Sequence, residues 1–128
     1  MQQISQIYII DDDDIFVFVL KKLLQKTKRF HDIIDVRNGS EAIELLTVQH
    51  AANAKLPELI FLDLNMPILD GWQFLDEVEK LPFKDELKIY IISSSIDPKE
   101  IEKSKEYSTV RSFVSKPVTM EWLHKISG

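Results

Sequence analysis

Five short apolar runs, at residues 7–10, 32–36, 58–62, 88–93 and 110–114, alternate with stretches of helical spacing, and that alternation leaves few ways to fold. A run of four to six largely apolar residues bounded by polar ones is what a strand covered on both faces looks like. Strands that alternate with helices build a parallel sheet with helices on its two faces, and right-handed crossovers prune the possible topologies. The expected fold is therefore an α/β doubly wound sandwich around a five-stranded parallel sheet. At 128 residues the chain can bury one core without disulfide or metal staples, so residues 1–128 are expected to form one domain.

The helices carry local signals of their own. Ser40 and Asp97 are placed to cap helices with acidic first turns, and Pro98 suits a first helical position. The segment 15–20 is rich in β-branched and aromatic residues that favour strands. The residues after it decide for a helix, with a core stripe of Phe16, Leu20, Leu23 and Thr27 and with Val19 and Leu24 beside it. Ile15, Val17 and Phe18 then fall off the stripe, either as a docking patch or packed on a neighbouring loop. Asp70 and Gly71 read as a turn before a helix, where glycine permits φ > 0. Trp72 opens that helix, as a packing residue or within sight of the site described next.

Four aspartates, 11–14, follow the first apolar run. Crowded like charges must take up protons or gather round a cation. Aspartates at a helix N-terminus also cap free N–H groups and complement the dipole, and the two uses are compatible. Asp13 and Asp14 suit the cap and first turn; Asp11 and Asp12 suit the cation. In open α/β sheets ligands bind outside the carboxyl ends of the strands. Those ends carry Asp11 and Asp12 after strand one, Asp63 after strand three, Ser93 or Ser94 after strand four, and Lys116 after strand five. His31, His50 and His124 lie near none of them.

These motifs, Ile10-Asp11-Asp12-Asp13, Phe61-Leu62-Asp63-Leu64-Asn65-Met66-Pro67, Asp70-Gly71, Ile92-Ser93-Ser94 and Ser115-Lys116-Pro117, make the chain similar to the receiver domains of two-component response regulators over essentially its whole length. The resemblance implies a flavodoxin-like fold with strand order 2-1-3-4-5. It implies that Asp63 accepts a phosphoryl group from phosphohistidine, with Lys116 contacting that group. It implies Mg²⁺ held by Asp11, Asp12, Asp63 and the Asn65 backbone carbonyl, and a cis bond between Lys116 and Pro117. Ser93 and Phe113 stand where many receivers have a switching Thr and Tyr, so any switch here is read as packing rather than through a phenolic hydroxyl. Asn65 and Ser95 occupy positions that modulate phosphoryl lifetime in receivers.

The partners implied are a histidine kinase or histidine phosphotransfer protein upstream and an unidentified protein downstream. Only one short helix follows strand five, so the expectation is a receiver that stands alone, chemically active on itself and not an enzyme on a separate substrate. The net charge of -5 argues against binding nucleic acid through phosphates. No apolar run approaches membrane-spanning length, no basic-flanked leader is legible, and cysteine is absent, which together suit a cytoplasmic protein. A phosphatase of the haloacid-dehalogenase class needs a second aspartate where Asn65 stands, and an amide cannot serve as its general acid. The remaining alternative is a pseudo-receiver that binds proteins without being phosphorylated.

Overall fold

Consecutive residues of a strand point to opposite faces, so a strand that is apolar throughout must be covered on both sides. The computed structural model describes residues 4–64, 70–94 and 97–127. Its elements are β1 (Ile4–Ile10), α1 (Asp14–Thr27), β2 (Phe30–Val36), α2 (Gly39–Ala51), β3 (Leu59–Asp63), α3 (Gly71–Glu79), a 3₁₀ turn (Lys84–Glu86), β4 (Ile89–Ser93), α4 (Pro98–Ser104), β5 (Val110–Ser115) and α5 (Met120–Ser127). The strands are parallel and ordered β2-β1-β3-β4-β5, the expected doubly wound topology.

The two faces divide the core as the pleat requires. Ile7 and Ile9 of β1 pack with Leu59 and Phe61 of β3 beneath Val17, Leu20 and Leu24 of α1 and Leu123 of α5. Tyr8 and Ile10 join Ile60 and Leu62 on the other face, beneath Ala42 and Leu46 of α2 and Phe74, Leu75 and Val78 of α3. Register across the central pair runs Ile7 to Leu59 through Ile10 to Leu62, which brings the carboxyl ends of β1 and β3 level. No described helix is long and apolar enough to cross a membrane.

Several local expectations shift. The buried stripe of α1 is Val17, Leu20, Leu24 and Thr27, not the stripe through Phe16 and Leu23, which are only half-buried. Val19 is 48% exposed and belongs with Ile15 and Phe18 outside the core. The two stripes differ by a small rotation of the helix, and docking against α5 and β1 selects between them. Helix α2 is capped by Asn38, whose side chain accepts the Glu41 N–H, so it starts before Ser40. Trp72 faces α4: its ring lies 6.0 Å from that of Tyr107 and 4.5 Å from the Lys103 ammonium.

At the end of the sheet away from the strands' carboxyl termini, Glu79 ties α3 to the start of β5. Its carboxylate accepts hydrogen bonds from Lys84 Nζ at 3.1 Å, Thr109 Oγ1 at 3.1 Å, Ser108 Oγ at 3.1 Å and the Thr109 N–H at 3.3 Å. Burial raises the pKa of Glu79, but those donors outweigh it and hold the carboxyl below its ordinary value of 4.5. A depressed folded pKa means that this stabilisation is complete above pH 4.5 and is lost as the pH falls through the folded value. Glu79→Gln is therefore expected to flatten the acid limb of a denaturant-midpoint curve below that pH while lowering stability near neutrality by about 1–2 kcal/mol. An acid limb as steep as that of the wild type would assign the acid sensitivity to other carboxylates.

Candidate functional site

A parallel sheet sends all its carboxyl ends to one edge, so residues far apart in sequence meet there. Asp11 directly follows β1 and continues its ladder, its N–H donating to the Val36 carbonyl at 3.1 Å. Asp63 is the last residue of β3 and Ser93 the last of β4, both buried. Lys116 follows β5, and its N–H donates to the Ser93 carbonyl at 2.8 Å. The carboxylates of Asp11, Asp12 and Asp63 each offer an oxygen within 4.8 Å of the others. Lys116 Nζ lies 3.1 Å from Asp11 Oδ2, and the Lys116–Pro117 peptide is cis.

The electrostatics favour a further cation. Asp11 Oδ1 accepts the Asp13 N–H at 2.9 Å, whereas the buried Oδ2 has no hydrogen bond among the described residues and faces only the Lys116 charge. Three carboxylates so close repel one another, the Lys116 ammonium is paired with Asp11, and hard, partly dehydrated oxygens are what Mg²⁺ or Mn²⁺ takes as ligands. Asp11, Asp12 and Asp63 thus fit such an ion. Asn65, Met66, Pro67 and Ser95 lie outside the described residues.

Of the four aspartates, Asp13 is the cap of α1, accepting the N–H groups of Ile15 and Phe16 at 3.1 Å each. Asp14, in the first turn, is ion-paired with Arg37. The hydrogen bond from Arg37, reinforced by its charge, holds the Asp14 carboxyl below the usual carboxylate range. Asp70 caps α3 through a reciprocal pair, accepting the Gln73 N–H at 2.9 Å while Gln73 Oε1 accepts the Asp70 N–H at 3.0 Å. Gly71 does not adopt positive φ, contrary to the turn reading. Its role is close approach: a Cβ there would stand 2.6 Å from Leu64 Cα and 2.9 Å from the Asp63 carbonyl oxygen.

Phe113 is half-buried, pairs in register with Ile91, and lines a groove of about 260 Å³ between α4 and β5 together with Ile101 and Ser104. Two neighbours of the site escaped the sequence reading. Phe16, assigned to the core, has its ring 4.2 Å from the Lys116 ammonium, a cation–π contact that helps aim the lysine. Arg37 stands one residue past β2, and its place at a strand's carboxyl end is the signal in the sequence that marks it.

The model of the family described as response regulator receiver domain matches residues 7–127. The crystal structure of a two component response regulator from Cytophaga hutchinsonii is 33% identical, with a TM-score of 0.90 over 98% of this chain and 95% of that one. That of the phosphorylated cyanobacterial phytochrome response regulator RcpA is 28% identical, with a TM-score of 0.79 over 99% and 89%. The Mn²⁺-bound form of response regulator Rcp1 shares the fold at 24% identity, with a TM-score of 0.75 over 95% and 88%.

Proposed function

Because the chain belongs to the response regulator receiver family of two-component signalling, we propose that it accepts a phosphoryl group from phosphohistidine onto Asp63 and signals by altered binding to another protein. The donor is a histidine kinase or a histidine phosphotransfer protein. The observation that carries this reading is the meeting of Asp11, Asp12 and Asp63 with the Lys116 ammonium at one sheet edge. The phosphorylated state of RcpA and the Mn²⁺ bound to Rcp1 support it by relationship.

In the proposed step an Asp63 carboxylate oxygen attacks phosphorus. A P–O bond forms as the P–N bond to the donor breaks, and the bonding pair leaves with an imidazole whose other nitrogen already carries a proton. An acyl phosphate remains on Asp63 and neutral imidazole departs. Lys116, held between Asp11 and the Phe16 ring, meets the added negative charge, and in this reading the Ser93 hydroxyl, at the end of β4, donates to it. A divalent ion held by Asp11, Asp12 and Asp63 supplies further charge neutralisation when bound. Phe113 passes the change on as packing, since it has no hydroxyl to exchange. The protein turns over no separate substrate; gain and loss of its own phosphoryl group is its chemistry.

The cation half of this reading is tested by melting. Ligand bound to the native state stabilises it by about 2.7 kcal/mol at a hundredfold excess over Kd, which for a domain of this size raises Tm by on the order of 10 °C. Saturating Mg²⁺ is expected to give such a shift in the wild type and none in Asp12→Ala. An undiminished shift in Asp12→Ala would place the ion elsewhere.

A further inference from the structure

A cation site formed with Asp63 uses Asp11 and Asp12, and capping uses Asp13, which leaves Asp14 without a part in either. Its carboxylate is instead ion-paired with Arg37 Nη1. That pairing joins the first turn of α1 to the residue that follows β2. Arg37 directly follows Val36, whose carbonyl accepts the Asp11 N–H at 3.1 Å, so the arginine is anchored beside the loop that bears the ligands. Its Nη2 is 3.5 Å from the backbone carbonyl of Asp12, which puts the Asp12 carboxylate within a side-chain rotation of the guanidinium. A guanidinium so placed pairs with whichever carboxylate the geometry offers, preferably through two parallel hydrogen bonds. An arginine on Asp12 competes directly with a divalent ion for the same oxygens.

We propose that Asp14 is a positioning residue for the cation site: it holds the Arg37 guanidinium off the Asp12 carboxylate and so keeps that carboxylate available to Mg²⁺. The proposal rests on the reading of Asp11, Asp12 and Asp63 as the metal's ligands. It gives a part to Asp14, the one aspartate of the run that neither belongs to the ligand set nor caps α1. Both partners are well exposed, with side-chain exposures of 60% for Arg37 and 74% for Asp14, so the pair adds little to stability and its effect is felt mainly in cation affinity.

The experiment is calorimetric titration of MgCl₂ alone into the wild type, Asp14→Asn, Arg37→Gln, the double variant and Asp14→Glu at low ionic strength. Asp14→Asn is expected to bind Mg²⁺ roughly three- to tenfold more weakly, as a screened unit charge moved onto a ligand implies. Arg37→Gln alone is expected to change affinity by less than about twofold, because its guanidinium is already sequestered. In the Asp14→Asn background the same change is expected to recover the lost affinity, and Asp14→Glu to bind as the wild type does. The non-additivity separates a held arginine from a plain field effect, in which Arg37→Gln raises affinity by the same factor in both backgrounds. That additive result, or wild-type affinity in Asp14→Asn, overturns the proposal. Absence of Mg²⁺ binding to the wild type would instead overturn the metal reading on which it stands, and the proposal with it.

Discussion

Incubated with acetyl phosphate and Mg²⁺, the wild-type protein is expected to gain the mass of one phosphoryl group, and Asp63→Ala to gain none. The effect is all or nothing because the proposed chemistry has one acceptor. Asp63 ends β3 with its side chain turned into the group that contains Asp11 and Asp12, and it is only 7% exposed. A carboxylate in water is a weak nucleophile toward an anionic phosphoryl donor because both carry negative charge. In the proposed reaction Lys116, and a divalent ion when one is bound, would offset that repulsion, which is the largest contribution positioned groups make to phosphoryl transfer. Asp12 and Asp14 have carboxylates too but lie in the open, so a small phosphodonor provides the stringent test of selectivity. An adduct on Asp63→Ala would show that the reactive carboxylate is another one. No adduct on either protein, with Mg²⁺ binding established, would favour a receiver fold used for protein binding without phosphorylation.

Gly71→Ala is expected to destabilise the fold by about 1–3 kcal/mol and lower Tm by roughly 5–10 °C. The added Cβ would meet Leu64 Cα at 2.6 Å and the Asp63 carbonyl oxygen at 2.9 Å. Both are backbone atoms of the segment that carries the proposed acceptor, so neither yields as a flexible side chain does. The Gly71 N–H also donates to the Leu64 carbonyl at 3.0 Å, which holds the start of α3 against the end of β3. Helix propensity works the other way, since alanine is favoured over glycine by at most ~1 kcal/mol, and at a first helical position by less. The steric effect wins. Any relaxation that admits the methyl group displaces Asp63, so phosphoryl uptake is expected to slow along with the loss in melting temperature. A Gly71→Ala protein as stable as the wild type would show that α3 withdraws without cost.

The architecture was legible because its causes are local. Apolar runs at 7–10 and 58–62 mark strands whose observed limits are Ile4–Ile10 and Leu59–Asp63, and the differences are confined to the strand ends. Caps at Asp13 and Asp97 were legible for the same reason: each accepts an N–H two or three residues ahead, a bond fixed by the chain's own spacing, whereas Asp70, read as a turn, also proves to be a cap. Asn38 and Ser40 are both residue types that cap helices, and only the backbone's extended conformation at Asn38 selects it as the cap of α2.

Hydrophobic period and capping act over a few residues, so the order of strands and helices and the chemical character of each strand's end are written locally in the chain. The tertiary structure alone decided which of those ends meet and at what distance. That Lys116 reaches Asp11, that Phe16 lies under its ammonium and that Arg37 takes Asp14 are contacts between segments tens of residues apart, and that Gly71 must have no side chain follows from how α3 docks on the end of β3. Such contacts depend on sheet order, register and the rotation of each helix against its neighbours. Those are settled by burying two apolar faces at once, a condition on the whole chain that no short stretch of it expresses.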